Sequence, residues 1–112
     1  MSSITTHVLD TSRGRPAAGV PVTLEVENAG DWMLVGKGTT NADGRIADLG
    51  LGDSMAAGVY RLIFDTAAYF ASQNIKGFYP QVTVTFNIEE ATQHYHVPLL
   101  LNPFGYSTYR GS

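Results

Sequence analysis

The sequence predicts an all-β fold, a two-sheet β-sandwich of eight short strands with one brief helix. Three observations predict it. Apolar and polar residues alternate with a period of two along most of the chain. Turn-forming residues interrupt that alternation at short intervals. Only one stretch, Asp65 to Gln73, reads as helix. A length of 112 residues suits one core, so residues 1–112 are read as a single domain.

Taken in order, Ile4–Leu9 is the first strand candidate. Val20, Val22, Leu24 and Val26 then alternate with Thr23, Glu25 and Glu27, the mark of a half-buried strand. Trp32–Thr39 is β-rich, and Ile46–Leu49 is a shorter candidate. Tyr60, Leu62 and Phe64 interleave with Val59, Arg61 and Ile63, which predicts a strand buried on both faces or nearly so. Asp65 caps the helix, and Thr66-Ala67-Ala68-Tyr69-Phe70-Ala71 supplies about two turns. In Gln81–Ile88, Val82, Val84, Phe86 and Ile88 alternate with Gln81, Thr83, Thr85 and Asn87; His94–Leu101 and Tyr106–Tyr109 complete the eight. The turns between them fall at Gly14-Arg15-Pro16, Asn28-Ala29-Gly30-Asp31, Asn41-Ala42-Asp43-Gly44 and Asn102-Pro103. The long, regular Gln81–Ile88 strand and the closing Tyr106–Tyr109 strand would be hazardous as free edges, which predicts an oligomer built by edge-to-edge extension.

Composition removes several function classes. A content of 44% hydrophobic and 15% charged residues is too apolar for a disordered segment. The absence of cysteine excludes a disulfide scaffold, a thiolate metal site and a cysteine nucleophile. A net charge of −3 with scattered Lys and Arg offers no basic stripe, so no nucleic-acid partner is predicted. Apolar runs such as Val97–Leu101 are too short to span a bilayer, so no membrane association is predicted. The opening residues have no signal-peptide pattern, and the last three are not a peroxisomal signal; the cytosol, a cytoplasmic location, is the expected compartment.

Three histidines are the candidates for chemistry. Strand parity puts Thr5, His7 and Leu9 on one face and Ile4, Thr6 and Val8 on the other. His94, His96, Pro98 and Leu100 likewise oppose Tyr95, Val97, Leu99 and Leu101. If Val8 and Val97 face the core, His7 and His96 face outward, and they meet only if their strands are neighbours. A single surface imidazole needs no function. His94-x-His96 with His7 is also a spacing used by zinc, yet neither cysteine nor a carboxylate shares that face, and no metal is predicted. Gly36-Lys37-Gly38 and Gly50-Leu51-Gly52 match no phosphate loop, and no G-x-S-x-G elbow is present.

Four segments nevertheless carry a resemblance. They are His7-Val8-Leu9-Asp10 with Gly14-Arg15-Pro16-Ala17 and Gly19-Val20-Pro21-Val22; Thr40-Asn41-Ala42-Asp43-Gly44-Arg45; Phe78-Tyr79-Pro80; and His94-Tyr95-His96-Val97-Pro98-Leu99-Leu100-Leu101 with the ending Gly105 to Ser112. Together they resemble the transthyretin-related family, in particular its 5-hydroxyisourate hydrolase branch, whose hallmark is the terminal Tyr-Arg-Gly-Ser. The resemblance implies an eight-stranded sandwich assembled as a homotetramer, with active sites at the dimer–dimer interface and no cofactor. It implies hydrolysis of 5-hydroxyisourate, a product of urate oxidation in purine breakdown, by water attack and ring opening to 2-oxo-4-hydroxy-4-carboxy-5-ureidoimidazoline. The implied catalytic residues are His7, Arg45, His96 and Ser112; Tyr109, Arg110 and Gly111 join His7 and Arg45 in binding the substrate. The alternative is a transthyretin-like small-ligand carrier without catalysis. That branch has a lysine where His7 stands, an acid where Arg45 stands and a threonine where Tyr109 stands.

The residues suit this chemistry. Histidine titrates near neutral pH and serves as base and then acid, while arginine stays cationic and offers a planar fork to carbonyl oxygens. Either His7 or His96 can activate the water. Tyr109 would wall the pocket, Ser112 would anchor polar substrate atoms, and Arg110 is equally suited to catalysis or to pairing with a neighbouring acid.

Overall fold

The computed structural model describes residues 3–46, 49 and 56–111. In chain order the elements are β1 (Ser3–Asp10), β2 (Arg15–Pro16), β3 (Pro21–Asn28), β4 (Asp31–Thr39), β5 (Arg45–Ile46), β6 (Gly58–Phe64), α1 (Thr66–Ala71), β7 (Val82–Ile88), β8 (His94–Asn102) and β9 (Gly105–Thr108). One sheet runs β2-β1-β8-β9, with β5 also paired to β1; the other runs β4-β3-β6-β7. Every pairing is antiparallel except β1 with β8, which is parallel. This is the two-sheet sandwich with one short helix that the alternation predicts.

The described residues hold nine strands rather than eight. The addition is β2, where Leu9 pairs with Pro16 and Asp10 with Arg15. A two-residue strand containing proline carries no periodicity, so it reads as a turn in the sequence. A second difference concerns β6. Tyr60, Leu62 and Phe64 are buried, but Val59, Arg61 and Ile63 are only half-buried, because that face of the second sheet has no layer over it. Of the Ile46–Leu49 candidate, Ile46 lies in β5 and Leu49 in no strand, while residues 47–48 lie outside the described residues.

Between the sheets lies a core of buried Val8, Leu24, Leu62, Phe64, Val82, Leu99 and their neighbours. Fully burying an aliphatic or aromatic side chain of this size contributes about 1.5–3 kcal/mol. Asp65 caps α1 as the sequence predicts, its carboxylate accepting from the Ala68 N–H at 3.0 Å. The helix presents Tyr69 and Phe70 to the core. The Tyr69 hydroxyl donates to the buried Asp10 Oδ2 at 2.6 Å, which ties the helix after β6 to the end of β1. Strand β7 is the last in its sheet and β9 the last in the other, so both strands singled out as exposed edges are edges of this chain. Among the described residues, no helix is long and apolar enough to cross a membrane.

Candidate active site

Parallel pairing of β1 with β8 brings the distant histidines together. Thr5 stands opposite His96 and His7 opposite Pro98, while on the other side of β1 His7 stands opposite Arg45. Ile4, Thr6 and Val8 are buried, so Thr5 and His7 occupy the outer face of the sheet; Tyr95 and Val97 are buried, so His94 and His96 share that face. Residues opposite one another across a ladder project on the same side. Arg45, His7 and His96 therefore converge on one outward surface.

The turn before Arg45 fixes its position. Asn41 Oδ1 accepts from the Asp43 N–H at 2.9 Å and from the Arg45 N–H at 3.1 Å, and the Gly44 N–H donates to the Asn41 carbonyl at 2.9 Å. Gly44 has φ +74°, and a Cβ there would run into the Val8 carbonyl oxygen. Only glycine lets this turn lie against β1, where the Val8 N–H donates to the Gly44 carbonyl at 2.7 Å.

At the other flank the chain end packs on His96. Gly111 bridges to His96, its N–H donating to the His96 carbonyl at 2.8 Å. A Cβ at Gly111 would lie 2.6 Å from His96 Cδ2, so glycine is needed for the tail to touch the ring. Leu99 opposite Thr108 and His96 opposite Gly111 keep one register, which sets Tyr109 opposite Pro98 and Arg110 opposite Val97. Tyr109 thus shares the row of Pro98, His7 and Arg45. Pro98 has no N–H to return at that rung, and β9 ends there, at Thr108.

Arg110 departs from the expected grouping. Its opposite number, Val97, faces the core, so the Arg110 stem leaves on the inner side. Its guanidinium lies 4.5 Å from the centre of the Tyr95 ring and donates to Gln93 Oε1 at 3.0 Å. There it borders a cavity of about 240 Å³ between the sheets, lined also by Val84, Phe86, Tyr95, Thr108 and Tyr109, so Tyr109 reaches this cavity as well as the outward row. Ser112 lies outside the described residues.

Electrostatics single out His96. Burial holds its imidazole below the usual value of 6.5, and the charges of Arg45, His94 and His7 push it further down. Arg45 has no ion-pair partner among the described residues, whose one such pair is Arg61 with Glu25. A neutral imidazole beside an unpaired guanidinium can accept a proton at neutral pH next to a fixed cation that meets a developing oxyanion. The described residues hold no group of three or more His, Asp or Glu side chains gathered as metal ligands.

One neighbour of His96, Thr5, was not singled out for a role by sequence reasoning. Thr5 Oγ1 lies 2.8 Å from His96 Nδ1 and 3.2 Å from His94 Nε2, and the two rings stack with centroids 6.4 Å apart. The signal was there: Thr5 sits two residues before His7 on the same strand face.

Fold and face together define a transthyretin-like β-sandwich whose reactive groups stand on a sheet surface rather than on loops. The chain belongs to the HIUase/Transthyretin family, whose model matches residues 4–111. It is 48% identical to a 5-hydroxyisourate hydrolase of Halalkalibacterium halodurans, over 97% of this chain and 97% of that protein. The solved structure of Klebsiella pneumoniae 5-hydroxyisourate hydrolase matches with a TM-score of 0.88 and 40% identity, covering the whole of both chains. Sea bream transthyretin in complex with thyroxine matches with a TM-score of 0.91 and 35% identity, over 96% of this chain and 93% of that one. Backbone shape is thus shared by a 5-hydroxyisourate hydrolase and a thyroxine-bound transthyretin, and side chains must separate them.

Proposed function

We propose that this chain is a 5-hydroxyisourate hydrolase of urate degradation, acting without a cofactor. The observation that carries the reading is His96, held neutral beside an Arg45 guanidinium with no ion-pair partner among the described residues, in a chain nearly half identical to proteins that bear this name. His96 takes a proton from water as the water oxygen adds to the ring carbonyl. Arg45 meets the negative charge on the carbonyl oxygen. The carbon–nitrogen bond of the ring then breaks, and the leaving nitrogen receives the proton, which leaves a carboxylate and a ureido group. His7 orients water or substrate from the Arg45 side, Tyr109 and Gly111 border the pocket, and the role of Ser112 is to anchor polar substrate atoms. Arg110 acts from the inner side by holding the tail, through Tyr95 and Gln93, against His96.

Among the described residues nothing closes over the imidazole face, so a second subunit is needed to wall the substrate. We assign the functional unit as a homotetramer, with sheets extended through the β7 and β9 edges and the His7/Arg45/His96 face turned to another subunit. Exposed Tyr106 and Tyr109 and the unpaired edges favour this. A cytosolic setting accords with a chain free of cysteine. The test is the absorbance decay of freshly generated 5-hydroxyisourate, corrected for spontaneous loss. Acceleration in proportion to protein is expected. Decay at the spontaneous rate, with tight binding of a thyroxine-like ligand, would replace the enzyme with the carrier.

A further inference from the structure

We infer that Thr5 is a positioning residue, whose hydroxyl accepts from His96 Nδ1 and donates to His94 Nε2 and so fixes the imidazole form with its bare nitrogen at Nε2. The inference rests on the hydrolase reading, which makes His96 a base; the contacts of Thr5 with the two rings do not depend on it.

Two flanks of the His96 ring are occupied. Thr5 Oγ1 sits at Nδ1, 2.8 Å away, and the Gly111 backbone closes on Cδ2. The remaining edge, Cε1 and Nε2, is the one left for water and substrate. A neutral imidazole carries one proton, and the nitrogen that donates determines which nitrogen is basic. A hydroxyl alone satisfies either form, since it can donate or accept. Access removes the ambiguity: Thr5 closes off Nδ1, only Nε2 lies on the open edge, and a neutral ring whose open nitrogen is the base carries its proton on Nδ1. With the proton on Nδ1, the Thr5 hydroxyl is left to donate, and its second partner, His94 Nε2 at 3.2 Å, is placed to accept. The order of donation is therefore His96 to Thr5 to His94, and Nε2 of His96 is the base. A valine at position 5 would keep the branched shape and lose both bonds. The ring would then be free to carry its proton on Nε2, where it is useless as a base.

The experiment compares wild type, Thr5→Val and Thr5→Ser as intact oligomers. Protein labelled with nitrogen-15 in histidine is examined above pH 8, where the bare and protonated nitrogens of a neutral ring resonate far apart. Expected are a bare Nε2 and a protonated Nδ1 at His96 in wild type and Thr5→Ser, and averaged signals in Thr5→Val. In the 5-hydroxyisourate assay, kcat should fall about five- to tenfold in Thr5→Val, the scale of one hydrogen bond, with KM little changed and recovery in Thr5→Ser. An unchanged nitrogen pattern in Thr5→Val overturns the inference, as does a Thr5→Ser variant as impaired as Thr5→Val. If wild type lacks activity, the hydrolase reading fails by itself, and the nitrogen pattern still decides the role of Thr5.

Discussion

The two sheets bury the same kind of inner face and differ on their outer ones. On the β4-β3-β6-β7 sheet the outward Arg61 is neutralised: its guanidinium meets Glu25 Oε1 at 2.6 Å and lies 4.1 Å from the centre of the Trp32 ring. On the β1-β8 sheet the outward Arg45 meets imidazoles, and no carboxylate pairs with it among the described residues. An arginine that has its acid is part of a surface. One left among histidines lowers the basicity of the neighbouring ring, so one strand pattern serves structure on one sheet and, under the proposed hydrolase reading, chemistry on the other.

Removing the base should break the contrast most severely. His96→Ala is expected to lower kcat/KM about 10²–10⁴-fold, the usual contribution of a positioned base, with an unchanged circular dichroism spectrum. Arg45→Met comes next, at about 10²–10³-fold, or ~3–4 kcal/mol, if the guanidinium stabilises the oxyanion. The same variant carries a signed pH effect. Because the His96 pKa is lowered, its base form persists below pH 6.5, and the acid limb of kcat/KM should fall below that value. Losing Arg45 should move the limb upward, but only part of the way, since burial is the larger cause. A limb that stays put or moves down in Arg45→Met would separate Arg45 from His96.

How much of this was legible in sequence follows from what each feature depends on. Parity in Ile4–Leu9 and His94–Leu101 is local, so the outward faces of His7 and His96 could be read directly. Their meeting depends on β1 lying parallel to β8, a pairing between residues some 90 positions apart that no local pattern encodes. Arg110 shows the same boundary. Its residue type suits a pocket, but its side is set by the rung opposite Val97, and only the register reveals that it turns inward.

A smaller effect is expected where the two sheets are tied together. Burial opposes the charge of Asp10, but hydrogen bonds from Ser12, Tyr69 and the Arg13 N–H outweigh it and leave its pKa below the usual 3.8. The stability held by ionised Asp10 is therefore present above pH 3.8 and lost as pH falls through the lower folded value. Tyr69→Phe removes one bond to a charged acceptor and should cost about 1.5–3 kcal/mol in urea unfolding at fixed protein concentration. Activity per folded molecule should not change, because neither side chain reaches the imidazole face. A loss of turnover without a loss of stability would show that the tie between the sheets also shapes the site.

The smallest expected effect is the one that isolates charge from chemistry. Arg61→Met keeps much of the apolar stem and removes the bond to Glu25 and the contact with Trp32. Both partners are partly exposed, at 28% and 20%, so solvent screens the pair. A loss of about 1 kcal/mol or less is expected for the ion pair and ring contact together. Turnover should equal that of wild type. The pair of variants, Arg61→Met and Arg45→Met, removes the same formal charge from each sheet, so a general field effect of net charge would reduce turnover in both. Loss confined to Arg45→Met assigns the effect to position. Equal losses would mean that the protein attracts its substrate by overall charge, and that the unpaired guanidinium beside His96 has no separate part in the reaction.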